Sequence, residues 1–580
     1  MAKRGGAVHV AVTRRHYKDK VYETTLLRRS YREGAKVKTE TLANLSHLPA
    51  ETITLIRDSL AGKTHVEAGA GWEIERSLPH GHVAAVWAMA DKLGLARLLG
   101  PAGVERDVAL ALIIARACCP ASKLATTRWW ADTTLAADLG VEAASTDDVY
   151  AAMDWLVGRQ ATIEKALARR HLAADGAMVL YDLSSSWMEG SRCPLAARGY
   201  SRDGKAGKTQ IEYGLLTDIE GRPVSVEVFA GNTADPTAFI SAVNTVKDRF
   251  GLTNVVMVGD RGMITTARID ALREIGGIDW VTSLRAPAVK ALAESGVLQL
   301  SLFDDTNLAE ITHPDFPGER LVACRNPALA VERARKRAEL LTATEADLAA
   351  IHTATTRDRR RLHGQAQIAL RVGKIINRRK MAKHFELTIT DTTFTYTRRQ
   401  ENIDAEAALD GIYVVRTSVT PERLATGKVV ETYKNLAVVE RDFRSLKAID
   451  LDLRPIYHHL EDRVRAHVFI CMLAAYLIWH LRQAWAPLCF TDETPPPRTD
   501  PVAPARSSAA AKTKASRQRT TDGHPTHNLT TLLNHLATLT RNTIVFASGA
   551  RIDKLAQPTP LQHRAFELIG TPIPTKIGNK

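Results

Sequence analysis

Cysteine is scarce, with six in 580 residues (Cys118, Cys119, Cys193, Cys324, Cys471 and Cys489) and no Cys-x-x-Cys pair. That scatter gives no zinc or dithiol motif and no disulfide framework, so reduced, structural thiols are expected. Long apolar runs are missing too. The longest, Val468 to Trp479, falls short of the about 20 residues that cross a bilayer and lies between Arg465 and Arg482. It predicts a buried core helix and no membrane partner. The first residues, MAKRGGAVHV, lack the apolar stretch of a secretory leader, which points to a cytoplasmic protein.

What is present is an ordinary globular balance, 45% hydrophobic and 24% charged residues, in a chain long enough for about three or four domains. The formal net charge is +14, and a surplus of that size favours a polyanionic partner. Residues 1–40 hold eleven Lys or Arg against four Asp or Glu, so 11 − 4 = +7, half of the excess, is concentrated there.

Along the chain, residues 1–75 alternate apolar and polar positions around basic clusters and read as a small basic β-rich module built on a hairpin. Residues 76–175 turn to helical spacing, with a capping signal at Ser145-Thr146-Asp147-Asp148, and form a helical module suited to binding DNA ends. Whether it contains a helix-turn-helix is left open by spacing alone. Residues 176–285 alternate strands and helices: MVLYDLSSS, a hairpin around Asp218–Gly221, a helix with Asp235 as its cap and Pro236 at its first position, NVVMVGD, and IDWVTSLR. This is an α/β sheet pattern. Residues 286–410 interrupt it with charged helices and a β-rich piece. Residues 411–490 resume it, with Thr420-Pro421 opening a helical region. Residues 491–527, rich in Pro, Ala, Ser, Thr, Lys and Arg, read as a disordered basic linker before a tail, 528–580, to which no function is assigned.

Asp182 and Asp260 each close an apolar strand run, where aspartate is disfavoured and where open α/β sheets bind ligands. Around Glu440, helical spacing puts Tyr433, Leu436, Glu440, Arg444 and Lys447 on one face beside an apolar stripe of Val439, Phe443 and Leu446. Taken singly, turn or cap aspartates and a surface helix with Glu440 paired to Arg444 are the commoner explanation of such residues. If the three carboxylates converge, mutual repulsion of roughly 4 kcal/mol at 4 Å requires a raised pKa or a bound cation. All-oxygen ligands then favour two Mg²⁺ or Mn²⁺ ions and phosphodiester chemistry.

The blocks YDLSSS, GYSRDGKAGKTQIEYGLL, FAGNTAD and VGDRGM, with the run Tyr433, Glu440 and Lys447, resemble the DDE transposases of the IS-four superfamily, most closely its IS-sixteen-thirty-four branch. The resemblance spans about Met178 to Trp485. It implies a ribonuclease-H-like catalytic domain interrupted by an α+β insertion, preceded by the β-rich and helical modules. It also implies metal held by Asp182, Asp260 and Glu440, and DNA phosphates contacted by Tyr433 and Lys447. The expected activity is binding of an insertion sequence's terminal inverted repeats, metal-dependent cleavage and strand transfer into target DNA by a homodimer associated with the nucleoid. Leu436 stands where the family has arginine, which leaves Arg441 or Arg444 to supply that contact. Arg202, Lys205 and Lys208 form a basic loop that either touches the DNA backbone or is a solvated turn. Gly207-Lys208-Thr209 imitates a nucleotide-binding loop, but Arg202 occupies the leading glycine's place, so no nucleotide cofactor is expected. His458, His459 and His467 read as core or surface groups. A DNA-binding protein that has lost catalysis and a structure-specific nuclease on the same fold are the alternatives.

Overall fold

The computed structural model describes all residues except 1–6, 19, 35, 64–70, 175, 191, 300–302, 497–499 and 579–580. The chain divides into two compact units, Met1–Leu78 with Thr540–Ala556, and Pro79–Leu539 with Gln557–Lys580.

In the first unit, strands β1 (Ala7–Tyr17), β2 (Lys20–Glu33) and β3 (Lys36–Asn44) form an antiparallel sheet in that order. It has one strand more than the hairpin its alternation suggested. Helix α1 (Ala50–Leu60) follows, and β4 (Trp72–Pro79) joins a second sheet with Thr540–Phe546 and Arg551–Leu555. Arg14, Arg15, Lys18 and Arg32 are exposed.

The second unit opens with helices α2 (Gly81–Lys92), α3 (Leu95–Leu99), α4 (Val104–Cys118), α5 (Lys123–Ala131), α6 (Leu135–Leu139) and α7 (Thr146–His171). Ser145 and Asp148 make the reciprocal cap expected at the start of α7, satisfying donors that the first turn leaves free. The sheet strands and intervening helices follow: β5 (Met178–Trp187), β6 (Gln210–Asp218), β7 (Pro223–Ala230), α8 (Asp235–Asn244), β8 (Val255–Val258), α9 (Thr266–Ile275), β9 (Ile278–Ser283) and α10 (Ala286–Glu294). Next come β10 (Leu308–Ile311), β11 (Arg320–Arg325), α11 (Pro327–Thr356), α12 (Gln365–Arg379), β12 (Phe385–Ile389), β13 (Phe394–Arg398) and α13 (Gln400–Ala407). The sheet's last strand is β14 (Ile412–Thr417), followed by α14 (Thr426–Lys434), α15 (Leu436–Arg444) and α16 (Glu461–Ala484).

The eight-stranded sheet runs β10-β11-β14-β9-β8-β5-β6-β7, so the chain is mixed α/β. In this sheet β5 with β8 and β8 with β9 pair in parallel, and the other neighbouring strands pair antiparallel. Every residue of β6 is buried, which identifies it as an interior strand covered on both faces. Helices α7 and α16 pack on β7, and α8 and α15 on β5. Of residues 286–410, β10 and β11 extend the main sheet, whereas α11, α12, β12 and β13 share their own apolar cluster, including Leu348, Ile368, Phe385 and Phe394. The predicted core helix is α16: by length and composition it could cross a bilayer, but 83% of its most apolar window is buried inside the unit.

Two local expectations fail for identifiable reasons. Asp235 does not cap α8; it is the first helical residue, and its carboxylate turns to Arg202 at 2.6 Å. The segment expected as a disordered linker is largely ordered, with residues 497–499 lying outside the described residues. Its contacts are partly polar, which composition cannot reveal: Asp492 accepts from Ser508 N at 2.7 Å, Lys434 Nζ donates to Val502 O at 2.6 Å, and Ser508 caps a helix over Ala509–Arg517, while the Val502 side chain is buried in the main core.

Candidate active site

The parallel register of β5 and β8 matches Leu180 with Val258, where β8 ends. Continued by two residues, that register sets Asp182 beside Asp260, because adjacent strands lie about 4.8 Å apart. Asp182 stays within β5, which continues to Trp187 along its other neighbour β6, so it is not at the strand's end as the sequence suggested. The end that matters is β8's. Beyond Val258 the chain leaves the sheet, and a notch opens along that edge of β5.

Helix α15 brings the third carboxylate. Val439, Phe443 and Leu446 are buried as the apolar stripe predicted, and the Phe443 ring meets Tyr213 of β6 edge-on at 5.7 Å. With that side against the sheet, Glu440 is exposed and turned to the notch. Asp182, Asp260, Glu440, Tyr433, Leu436 and Ser283 line one cleft of about 520 Å³. The Tyr433 hydroxyl shares a 2.8 Å hydrogen bond with Ser283 Oγ at the end of β9 and reaches Asp260 Oδ1 at 3.5 Å.

Burial pushes the Asp182 carboxyl up to about 7; the nearby negative charges of Asp260 and Glu440 add to this, while the Leu183 N–H and Arg202 oppose it. The Leu183 amide donates to Asp182 Oδ1 at 2.8 Å. A second acidic pair adjoins the first: Arg202 binds Asp235 at 2.6 Å and Glu212 at 3.3 Å. Burial raises Glu212 to about 7, against the pull of Arg202. Among the described residues, no group of three or more His, Cys, Asp or Glu side chains is gathered closely enough to hold a metal ion as it stands.

The predicted single face of Tyr433, Leu436, Glu440, Arg444 and Lys447 holds only for its first half. The helix breaks at Asn435 between α14 and α15, and a wide π turn over Ser445–Ile449 adds about one residue to the next turn. Lys447 is thereby buried away from the cleft, with Nζ 2.9 Å from Asp203 Oδ1, which Arg454 also binds. Burial lowers its pKa, and Asp203 counteracts the shift. Arg444 is exposed, and Arg441 lines a different cleft of about 940 Å³ with Arg482 and Arg506. Lys205 and Lys208 both stand 5.7 Å over the Trp187 ring, and Lys208 pairs with Glu189 at 3.1 Å. The loop therefore has internal partners for Arg202 and Lys208.

The sequence reading missed three cations that line the carboxylate cleft, Arg261, Arg333 and Lys434. Arg261 follows Asp260 directly and could have been found by its position. Arg333 sits in a charge run that reads as a solvated helix face, and nothing local marks it.

An aspartate within β5, a second just beyond the end of β8 and a glutamate on α15 thus share one cleft of a mixed α/β sheet. Residues 169–478, more than half of the chain, match the Transposase DDE domain, so the chain belongs to the DDE transposase family and is a DNA transposase. Residues 10–70 match the IS1634 family transposase N-terminal domain, which places it in that branch. No curated protein matches it. Among solved structures it is similar to a piggyBac transposase synaptic complex with hairpin DNA, at 10% identity over 79% of this chain and 76% of that one, with a TM-score of 0.32.

Proposed function

We propose that this transposase binds the terminal inverted repeats of its own insertion sequence through the two N-terminal modules, cuts beside them and joins the ends to target DNA, acting as a cytoplasmic homodimer on DNA. The observation that carries the reading is the single cleft shared by Asp182, Asp260 and Glu440. The strand order β7-β6-β5-β8-β9, antiparallel in its first half and parallel in its second, supports a ribonuclease-H-like domain, with residues 286–410 as the insertion. The exposed basic residues of β1 and β2 support DNA binding by the first module.

The donor set fits Mg²⁺ or Mn²⁺: it is all oxygen, and the Asp182 carboxyl is pushed up to about 7 by burial and like charges despite the opposing pull of Arg202. Asp182, Asp260 and Glu440 would hold the ions; Asp260 and Glu440 are exposed to the cleft. When bound, two such ions activate the attacking oxygen and stabilise the leaving oxygen of a phosphodiester. The chain's own groups prepare the site. The Leu183 amide fixes one Asp182 oxygen, Ser283 and Tyr433 orient Asp260, and Leu436 with Ala437 supplies an apolar part of the cleft lining.

The test is incubation of purified protein with a labelled duplex bearing its own element end, with and without Mg²⁺ or Mn²⁺, comparing wild type with Glu440→Gln. Metal-dependent nicking that disappears in the variant while end binding persists is expected. Tight binding without cleavage in either protein supports a lapsed enzyme, the reading favoured by Leu436, and cleavage without joining to target supports a nuclease.

A further inference from the structure

The carboxylate cleft contains cations of two kinds. Lys434 is fully engaged, its Nζ held by backbone carbonyls including Val502 O at 2.6 Å and Ala503 O at 3.3 Å. Arg261 and Arg333 are exposed, and neither makes a hydrogen bond or ion pair with another described residue. Elsewhere on the same helix, Arg335 is paired with Glu332 at 2.8 Å and also with Glu339, and Arg337 with Asp410 at 3.0 Å. An unpaired guanidinium beside three carboxylates with no bond to any of them is what a cleft for a polyanion presents.

The helix that carries Arg333 is held firmly. At 100° per residue Leu329, Arg333 and Arg337 fall on one face of α11, just beyond its cap Asn326. Asn326 and Leu329 line the cleft with Arg333. Asn326 caps the helix, its Oδ1 accepting from Leu329 N at 3.0 Å, and its Nδ2 donates to Val502 O at 3.2 Å. The Asn326 N–H bonds Gly411 O at 2.9 Å, and Gly411, at φ +76°, comes so close that an added Cβ would lie 2.3 Å from Asn326 O. One turn beyond Arg333, the buried Arg337–Asp410 pair pins the helix again. Arg333 thus projects from a helix anchored on both sides of it.

We propose that Arg333, together with Arg261, binds a phosphate of the DNA at this active site. The assignment rests on the carboxylate-cleft reading above. Arg333 lies in the segment between β11 and β14, far in sequence from the three carboxylates, so this grip is supplied by the part of the chain that splits the sheet.

The experiment measures binding of a linear duplex carrying the element end across a series of KCl concentrations, alongside Mn²⁺-dependent nicking, for wild type, Arg333→Ala, Arg333→Lys, Arg261→Ala/Arg333→Ala and the control Arg335→Ala. Each lost phosphate contact lowers the slope of log K against log salt by about 0.9. Arg333→Ala is expected to lower it by about one contact and the double variant by about two, with nicking down about tenfold per charge-assisted bond. Arg333→Lys keeps the slope but recovers nicking only in part, since lysine offers a point charge in place of a fork. Arg335→Ala matches wild type. Unchanged slope and nicking in Arg333→Ala, with an unchanged urea midpoint, overturns the proposal. If wild type itself fails to nick, the catalytic reading falls, while the salt slopes still decide the phosphate contact.

Discussion

Asp182→Asn is expected to stabilise the metal-free protein in neutral and alkaline buffer while abolishing cleavage. Folding moves the Asp182 carboxyl from 3.8 to about 7, chiefly by burial. Such a move corresponds to about 4 kcal/mol against the charged form. Asp182 is half-buried, and solvent screening cuts this to about 1–2 kcal/mol. The sign follows from proton counts. Below the unfolded value both states carry the proton and the penalty vanishes. Between 3.8 and about 7 the folded state binds more protons than the unfolded one, so stability falls as pH rises. Above about 7 both are ionised and the penalty is complete. Asparagine keeps the acceptor for the Leu183 N–H and removes the charge. The assay is urea unfolding in EDTA from about pH 4 to about pH 8, in which the variant's advantage should grow across that range and then level off. An advantage of equal size at both ends, or none at about pH 8, refutes the reasoning, because only an ionisation cost has this pH profile. Adding Mg²⁺ should narrow the gap, since a cation that binds the folded wild type stabilises it by mass action.

Three further outcomes follow from the same contacts. Asp203→Ala leaves Lys447 and Arg454 without their shared buried acid and should destabilise the protein by about 3–5 kcal/mol, read from the urea midpoint. Gly214→Ala puts a Cβ 2.0 Å from the Tyr181 hydroxyl, next to Asp182, and should cost about 1–3 kcal/mol or more, with loss of cleavage as β5 shifts. Asp260→Asn should abolish metal-dependent nicking and leave the affinity for the element end within about threefold at fixed salt, as checked by gel shift beside the cleavage assay.

Where local physics dominates, the sequence was legible. Apolar runs predicted β5 and β8, and the hairpin around Asp218–Gly221 predicted β6; Ser145 and Asp148 announced the start of α7; and the apolar stripe Val439, Phe443 and Leu446 set which side of α15 meets the sheet. The three carboxylates were candidates because aspartate interrupts apolar strands rarely and because Glu440 opposes an apolar stripe. Phase was not legible over longer distances. The break at Asn435 and the wide turn at Ser445–Ile449 interrupt the helical phase, and Lys447 pairs with Asp203 instead of taking its predicted cleft position.

By itself, then, the sequence determined the kind of elements, the acidic residues to consider and the basic character of the first module, because these depend on near neighbours and on composition. Only the tertiary structure decided that Asp182 and Asp260 adjoin, through the parallel register that ends at Leu180 and Val258, and that Arg441 lines another cleft. It alone brought Arg333 to the carboxylates from a helix that enters the chain between two strands of the same sheet. Register and crossover are long-range properties: they are fixed by which surfaces bury against each other, and no window of the sequence contains both partners.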